Sequence, residues 1–200
     1  MTTPRDLFVV TLDVASSHPA PGDLSLALAG AELIDLLRLE AAVLDGERIV
    51  PATPRDVPDP MLAQAAASLR PQVPHETVED WLWRRGRGLS VAYRDAFEAE
   101  GLLTLRRRRW LPAWIGQTAL VDSPTRTRAG HRWAAEDPVL AALATAAGVS
   151  DRPAADLRDV TDESVVTILA AVDDAVTELV GVRHRKSIED AAFSNVWRGA

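Results

Sequence analysis

The chain has 200 residues, which fit one domain spanning residues 1–200, and 47% of them are hydrophobic, enough to bury a core. It contains no cysteine, which excludes disulfides, thiolate metal ligands and cysteine nucleophiles. The net charge is −7, but residues 84–133 hold eleven arginines against four acidic residues. This asymmetry predicts a basic middle that faces an anionic partner, although arginines that are merely solvated at a surface would give the same pattern.

Apolar residues at helical spacing, in a chain rich in alanine and leucine, predict a mainly α-helical fold. The apolar run at residues 7–12 fits a buried helix or strand and is too short for a signal peptide. The predicted helices cover residues 24–39, 60–69, 77–85, 89–100, 124–136, 138–147, 161–180 and 187–197, with a basic turn at 181–186 between the last two. Asp23, Thr77 and Thr161 are the expected N-terminal caps, and Gly101 and Gly148 the expected stops.

Two β-hairpins are predicted between these helices. Residues 43–50 contain two short apolar strands around Asp45-Gly46, a pair suited to a type I′ turn. Residues 102–121 follow a helix stop and contain a second apolar run, so we expect a hairpin with its tip near residues 111–116. The expected fold is therefore a mainly α, single-domain helical bundle with one or two small β-hairpins.

The sequence offers no recognisable catalytic or metal site. None of the four histidines lies three or four residues from another, so no helical metal pair exists. A phosphate-binding glycine loop and a nucleophile elbow are both missing from the sequence. We expect no enzymatic activity, no cofactor and no metal. No apolar stretch is long enough to span a bilayer, so we expect a soluble, cytoplasmic protein whose membrane contact is peripheral, at the inner face.

The strongest functional signal is RRRRWLPAW, residues 106–114. Arginine binds phosphate bidentately at any relevant pH, and tryptophan favours the membrane interface. Near an anionic bilayer each basic residue contributes about 1 kcal/mol, so the cluster predicts weak, salt-sensitive attachment. The predicted membrane-docking residues are Arg106, Arg107, Arg108, Arg109, Trp110, Leu111 and Trp114. The alternative is that the tryptophans pack inward and the arginines alternate along an ordinary strand.

Four segments, in this order, resemble the Golgi phosphoprotein 3-like (GPP34) family. They are LSLALAGAELIDLL at 24–37 with the hairpin at 43–50, TVEDW at 77–81, YRDAFEAEGLL at 93–103 and VDSPTRTRAGHR at 121–132. The likeness covers most of residues 5–135, and the composition resembles that of a bacterial, actinobacterial member. It implies a central bundle ringed by amphipathic helices and peripheral binding to phosphatidylinositol 4-phosphate. It also implies a hydrophobic hairpin that aids membrane docking and homo-oligomerisation.

The resemblance implies a lipid pocket that this chain keeps in part. The family's first-loop tryptophan has no counterpart in residues 16–23, and Ala29 stands where the family has an arginine before a glycine. The family also has two arginines three residues apart, which correspond here to Arg87 and Ser90. We therefore expect an anionic phospholipid headgroup as the partner, with the candidate ligands Arg84, Arg85, Arg87 and Arg94.

Two other classes of function remain open from the sequence. A helix, a glycine and a basic hairpin are also the order of a winged helix, whose wing arginines would contact nucleic-acid phosphates. Against this, the candidate recognition helix at 89–100 carries Asp95, Glu98 and Glu100, which would repel DNA. The other alternative is a non-catalytic oligomerisation or interaction scaffold, with the tryptophans as buried interface anchors.

Overall fold

A computed structural model describes residues 2–14, 19–52, 56–106, 117–149 and 160–198. Helices dominate these residues, and each of the two small sheets is an antiparallel pair of strands. In chain order the elements are α1 (Thr3–Asp13), α2 (Pro21–Arg38), β1 (Ala42–Asp45), β2 (Arg48–Pro51), α3 (Pro60–Ala67), α4 (Val78–Arg85), α5 (Leu89–Ala99), β3 (Leu103–Arg106), β4 (Gln117–Leu120), α6 (Pro124–Ala134), α7 (Pro138–Ala146) and α8 (Glu163–Arg198). The mainly α fold with small hairpins is therefore confirmed.

Helix α2 lies at the centre of the bundle, and every residue from Asp23 to Leu36 is buried. It packs against α1, α3, α4, α5, α7 and α8, and its buried acidic residues Asp23, Glu32 and Asp35 have hydrogen-bonding partners on other elements. Gly30 allows the long helix α8 to approach, because a Cβ there would lie only 2.4 Å from Cγ2 of Val172. No helix among the described residues is long and apolar enough to cross a membrane.

The helix ends agree with the sequence at Thr77 and Gly101 but not at Asp23. Thr77 accepts a hydrogen bond from the amide of Asp80 at 3.1 Å, and Gly101 has a φ of +70° after α5. Helix α2 begins at Pro21, three residues before the predicted start, because proline at the first helical position already has a helical φ. Asp23 therefore lies inside the first turn, where its carboxylate binds Arg183, and the prediction that it caps α2 is wrong.

Helix α8 is continuous over 36 residues, so the predicted turn at 181–186 is wrong. That segment has a single glycine and no proline. One glycine inside a helix costs only about 1 kcal/mol, and arginine and lysine are good helix formers. Asp162, rather than the predicted Thr161, caps the helix by accepting the amide of Ser164 at 2.9 Å.

Both predicted hairpins are present. In the first, Asp45 pairs with Arg48, so the connecting residues are Gly46 and Glu47, one position later than expected. Within this turn the positive φ is confined to Gly46, at +58°, and a type I′ turn needs two such residues. In the second hairpin, β3 and β4 pair from Leu103 opposite Leu120 to Arg106 opposite Gln117. The predicted tip at 111–116 lies outside the described residues.

Candidate functional site

Five of the seven arginines of the basic window whose side chains the structure describes are paired with acidic residues from elsewhere in the chain. The shortest nitrogen–oxygen distances of these ion pairs are 2.7 Å for Arg85–Glu32, 2.6 Å for Arg84–Glu76, 2.8 Å for Arg126–Asp13, 2.6 Å for Arg128–Asp6 and 2.8 Å for Arg132–Asp6. The separation of charge along the sequence is thus partly offset when these side chains fold together. Among the described side chains of the window, Arg87 and Arg94 remain outside such pairs.

Arg84 and Arg85, two of the four headgroup candidates, are held in bidentate ion pairs. Arg85 is 15% exposed and binds both carboxylate oxygens of Glu32, at 2.7 and 2.9 Å. Glu32 is fully buried and also accepts the hydroxyl of Tyr93 at 3.0 Å. Burial raises the pKa of Glu32 above its ordinary value although Arg85 acts in the opposite direction. Arg84 binds both oxygens of Glu76, at 2.6 and 2.7 Å, so both guanidinium groups already have acidic partners.

Arg87 and Arg94, the other two candidates, are exposed, and no described residue forms a hydrogen bond or ion pair with either of them. Arg87 lines a groove of about 290 Å³ at the junction between the start of α2 and the start of α5. The side chains of Trp83 and Leu179 give this groove an apolar wall, and Gly22 forms part of its edge. Of the four sequence candidates, the structure therefore brings Arg87 alone into this groove.

The N-terminal ends of α2 and α5 meet at this groove; the start of α2 has no side-chain cap, whereas the start of α5 is capped by Ser25 of α2. The serines of the two helices hold them together. Oγ of Ser25 accepts the amide of Ser90 at 3.0 Å and lies 2.9 Å from the Ser90 hydroxyl. Both hydroxyls also reach the carbonyl of Pro21, at 2.7 and 3.1 Å. The amides of Leu89 and Val91 bond to the carbonyls of Gly86 and Gly88, so the free amides at the groove belong to the start of α2. Because a helix N-terminus also carries partial positive charge, the groove favours an anion beside Arg87.

Two of the positions that the family resemblance assigned to the lipid pocket, Arg87 and Ser90, line this groove, and two, Ser90 and Ala29, are buried. Ser90 is buried because its hydroxyl joins α5 to α2. Ala29 is buried in the core, and its carbonyl accepts the indole N–H of Trp81 at 3.1 Å. The sequence indicated Arg87 and Ser90 but not Ser25, since nothing in the sequence links residues 65 positions apart.

The predicted docking residues of the second hairpin fall almost entirely outside the described part of the chain. Arg106 ends β3, and its backbone pairs with Gln117 of β4. The remaining predicted residues, Arg107, Arg108, Arg109, Trp110, Leu111 and Trp114, lie outside the described residues. Their role in membrane docking remains a prediction from the sequence.

A comparison with protein families finds a match over nearly the whole chain. The model of the family described as Golgi phosphoprotein 3 (GPP34) matches residues 4–190. The match extends through α7 and into α8, well beyond the segments that carried the resemblance in the sequence. No curated protein matches the chain.

Proposed function

The chain belongs to the Golgi phosphoprotein 3 (GPP34) family, and from this premise we propose that it is a non-catalytic, peripheral membrane protein. It binds the headgroup of an anionic phospholipid in the groove between the starts of α2 and α5. The observation that carries this proposal is the position of Arg87, exposed and unpaired among described residues, where the uncapped N-terminus of α2 meets the start of α5.

The chemistry of the groove suits a phosphate group. Helix N-termini bind phosphate through amide N–H groups and the helix dipole, and arginine adds a charged, bidentate donor. The amides of Gly22 and Asp23 lie in the first turn of α2, where helical amides have no intrahelical acceptor. The apolar wall of Trp83 and Leu179 can contact the uncharged part of a lipid.

The ion pairs of Arg84 and Arg85 support the site indirectly. Arg85 anchors the end of α4 to Glu32 in the centre of α2. Gly86 then brings the loop close to the start of α2, since a Cβ there would lie 3.3 Å from the carbonyl oxygen of Ser25. In this arrangement Arg84 and Arg85 position the loop, Arg87 binds the headgroup, and Arg94 adds attraction to the membrane surface.

The second hairpin is proposed as the docking element. Its tryptophans would enter the headgroup region while the arginines at 106–109 bind lipid phosphates. Nucleic acid is a weaker proposal, because α5 exposes Asp95 and Glu98, which would repel a phosphate backbone. A homo-oligomer formed through the hairpin is compatible with membrane binding and is not required by it.

The proposal is tested by flotation with phosphatidylcholine vesicles that contain or lack phosphatidylglycerol, with a third set containing phosphatidylinositol 4-phosphate. Wild type should float with the anionic vesicles, and the bound fraction should fall as the salt concentration rises. Arg87→Ala should weaken binding by at least about fivefold, because one basic residue near an anionic surface contributes about 1 kcal/mol. The variant carrying Trp110→Ala, Arg108→Ala and Arg109→Ala should bind still more weakly.

The matched control is Arg70→Ala, which removes the same charge from an exposed side chain that does not line the groove. It should bind like wild type. Failure of wild type to float with either anionic set would overturn the membrane function. Equal loss in Arg87→Ala and Arg70→Ala would mean that only net charge matters and that the groove is not a headgroup site.

A further inference from the structure

A second, larger cavity lies at the opposite end of α2 from the groove. It has a volume of about 600 Å³ and lies between the starts of α1 and α3, the end of α2 and the end of α5. The residues of α2 at the two sites, Pro21 and Arg38, are 17 positions apart, about 25 Å along the helix axis. The cavity is therefore separate from the proposed headgroup site.

Charged side chains line this cavity in equal numbers of each sign. The arginines are Arg5, Arg38 and Arg132, and the carboxylates are Asp35, Asp59 and Glu100. Because the lining charges cancel, a ligand with one net charge would leave the cavity unbalanced, whereas a ligand with one charge of each sign would not. The balance therefore favours a zwitterion.

Several of these charged groups are held in place by one another. Arg5 is buried between Asp59, at 2.7 Å, and Glu100, which it binds through both terminal nitrogens. Asp35 accepts the amide and hydroxyl of Thr3 at 2.6 and 2.7 Å. These contacts fix the walls of the cavity before any ligand arrives, and such preorganisation favours binding.

Three groups keep binding capacity. The side chain of Arg38 is 45% exposed, and its bonds to described atoms use only Nη1, at 3.2 Å from Thr3 and 3.4 Å from Asp35. Glu100 is 40% exposed, although each of its two carboxylate oxygens accepts a hydrogen bond from Arg5. Thr2 is only 7% exposed, and its buried Oγ1 has no hydrogen-bond partner among the described atoms. A buried hydroxyl without a partner carries a desolvation penalty that a ligand can relieve.

The rest of the wall is apolar. Leu39, Pro58, Pro60 and Leu62 line the cavity beside the charged groups. Proline rings and leucine side chains offer no hydrogen bonds to a ligand, so they suit an aliphatic group. The cavity thus combines an arginine with a free hydroxyl, an accessible carboxylate and an aliphatic surface.

We propose that this cavity binds a small apolar zwitterion, namely an aliphatic amino acid or dipeptide. The carboxylate binds Arg38 and the hydroxyl of Thr2, the ammonium group binds Glu100, and the aliphatic side chain lies against Leu39 and the prolines. The volume falls within the usual range for small-molecule sites and leaves room for two amino-acid residues.

Isothermal titration of the full chain with L-leucine and L-leucyl-L-leucine tests this proposal. Two truncated probes provide the comparison: 4-methylpentanoate lacks the ammonium group, and 3-methylbutylamine lacks the carboxylate. At least one zwitterion should bind, and each truncated probe should bind at least about tenfold more weakly, since a hydrogen bond to a charged group is lost. No vesicles are present, so the result is independent of the membrane function.

Variants locate the site. Arg38→Met and Thr2→Val should each weaken binding of the zwitterion, with circular dichroism confirming the native fold, while Arg70→Met should leave binding unchanged. If neither zwitterion binds wild type, the proposal is wrong. It is also wrong if 3-methylbutylamine binds as well as leucine, which would indicate a simple cation site, or if Arg38→Met and Thr2→Val both bind like wild type.

Discussion

Arg85 is expected to stabilise the fold rather than to bind lipid, and Arg85→Met tests this directly. The substitution keeps the length of the aliphatic chain and removes the guanidinium group from Glu32, which is fully buried. Removing one partner of a buried ion pair costs about 3–5 kcal/mol, because the other charge stays buried and unpaired. Tyr93 still donates its hydroxyl to Glu32, so we expect the lower end, about 3 kcal/mol.

This loss is a large share of the total, since domains are stable by about 5–15 kcal/mol. For a chain of this size it should lower Tm by about 6–12 °C. Urea unfolding monitored by circular dichroism measures the free energy of unfolding. In the double variant Arg85→Met with Glu32→Met neither charge is left unpaired, so it should be at least about 1 kcal/mol more stable than Arg85→Met alone.

The pH dependence gives an independent readout. Burial already raises the pKa of Glu32 above its ordinary value of 4.5, and loss of Arg85 should raise it further. Between 4.5 and the folded-state pKa, the folded protein holds a proton that the unfolded chain has released, so stability falls as pH rises. The difference between wild type and Arg85→Met should therefore be small near pH 4.5 and largest at neutral pH. If the Arg85→Met variant is as stable as wild type but no longer binds vesicles, this reasoning is refuted and Arg85 is a lipid ligand.

Three further substitutions test the packing and the helix boundaries by urea unfolding. Gly30→Ala should destabilise by about 1–3 kcal/mol because its Cβ would meet Val172 at 2.4 Å; the control Gly130→Ala, with no atom within 4 Å of its Cβ, should be neutral or stabilising. Gly181→Ala should stabilise a continuous α8 by about 0.5–1 kcal/mol, and a loss of stability there would contradict the 36-residue helix. Thr77→Ala should cost about 1 kcal/mol through loss of the α4 cap, and an unchanged midpoint would show that the cap contributes nothing.

The sequence predicted helix ends well where the residues that determine them are neighbours in the chain. Thr77 caps α4 because a hydroxyl three residues before an amide can reach it, and Gly101 ends α5 because its left-handed conformation suits glycine. The prediction of a turn beginning at Gly181 is wrong for a different reason. A glycine is compatible with a turn or a helix, and in α8 it lies in a continuous helix whose first half packs on α2.

The candidate site could be predicted only in part, because charge along the sequence does not determine charge on the surface. Arg85 and Arg87 are two residues apart and look equivalent in the sequence. The structure directs Arg85 to Glu32, which is 53 positions away, and leaves Arg87 at the groove. The same long-range pairing holds five of the seven arginines of the window whose side chains are described, so the number of arginines overestimates the positive charge that a membrane would meet.

The central claim is that the groove beside Arg87 binds an anionic headgroup. The most direct test is to titrate the isotope-labelled protein with a soluble short-chain phosphatidylglycerol and follow the backbone amide signals by NMR. The account predicts shifts concentrated at Gly22, Asp23 and Gly88, around the two helix N-termini, and their loss in Arg87→Ala. Shifts that are absent, or that survive unchanged in Arg87→Ala, would contradict it.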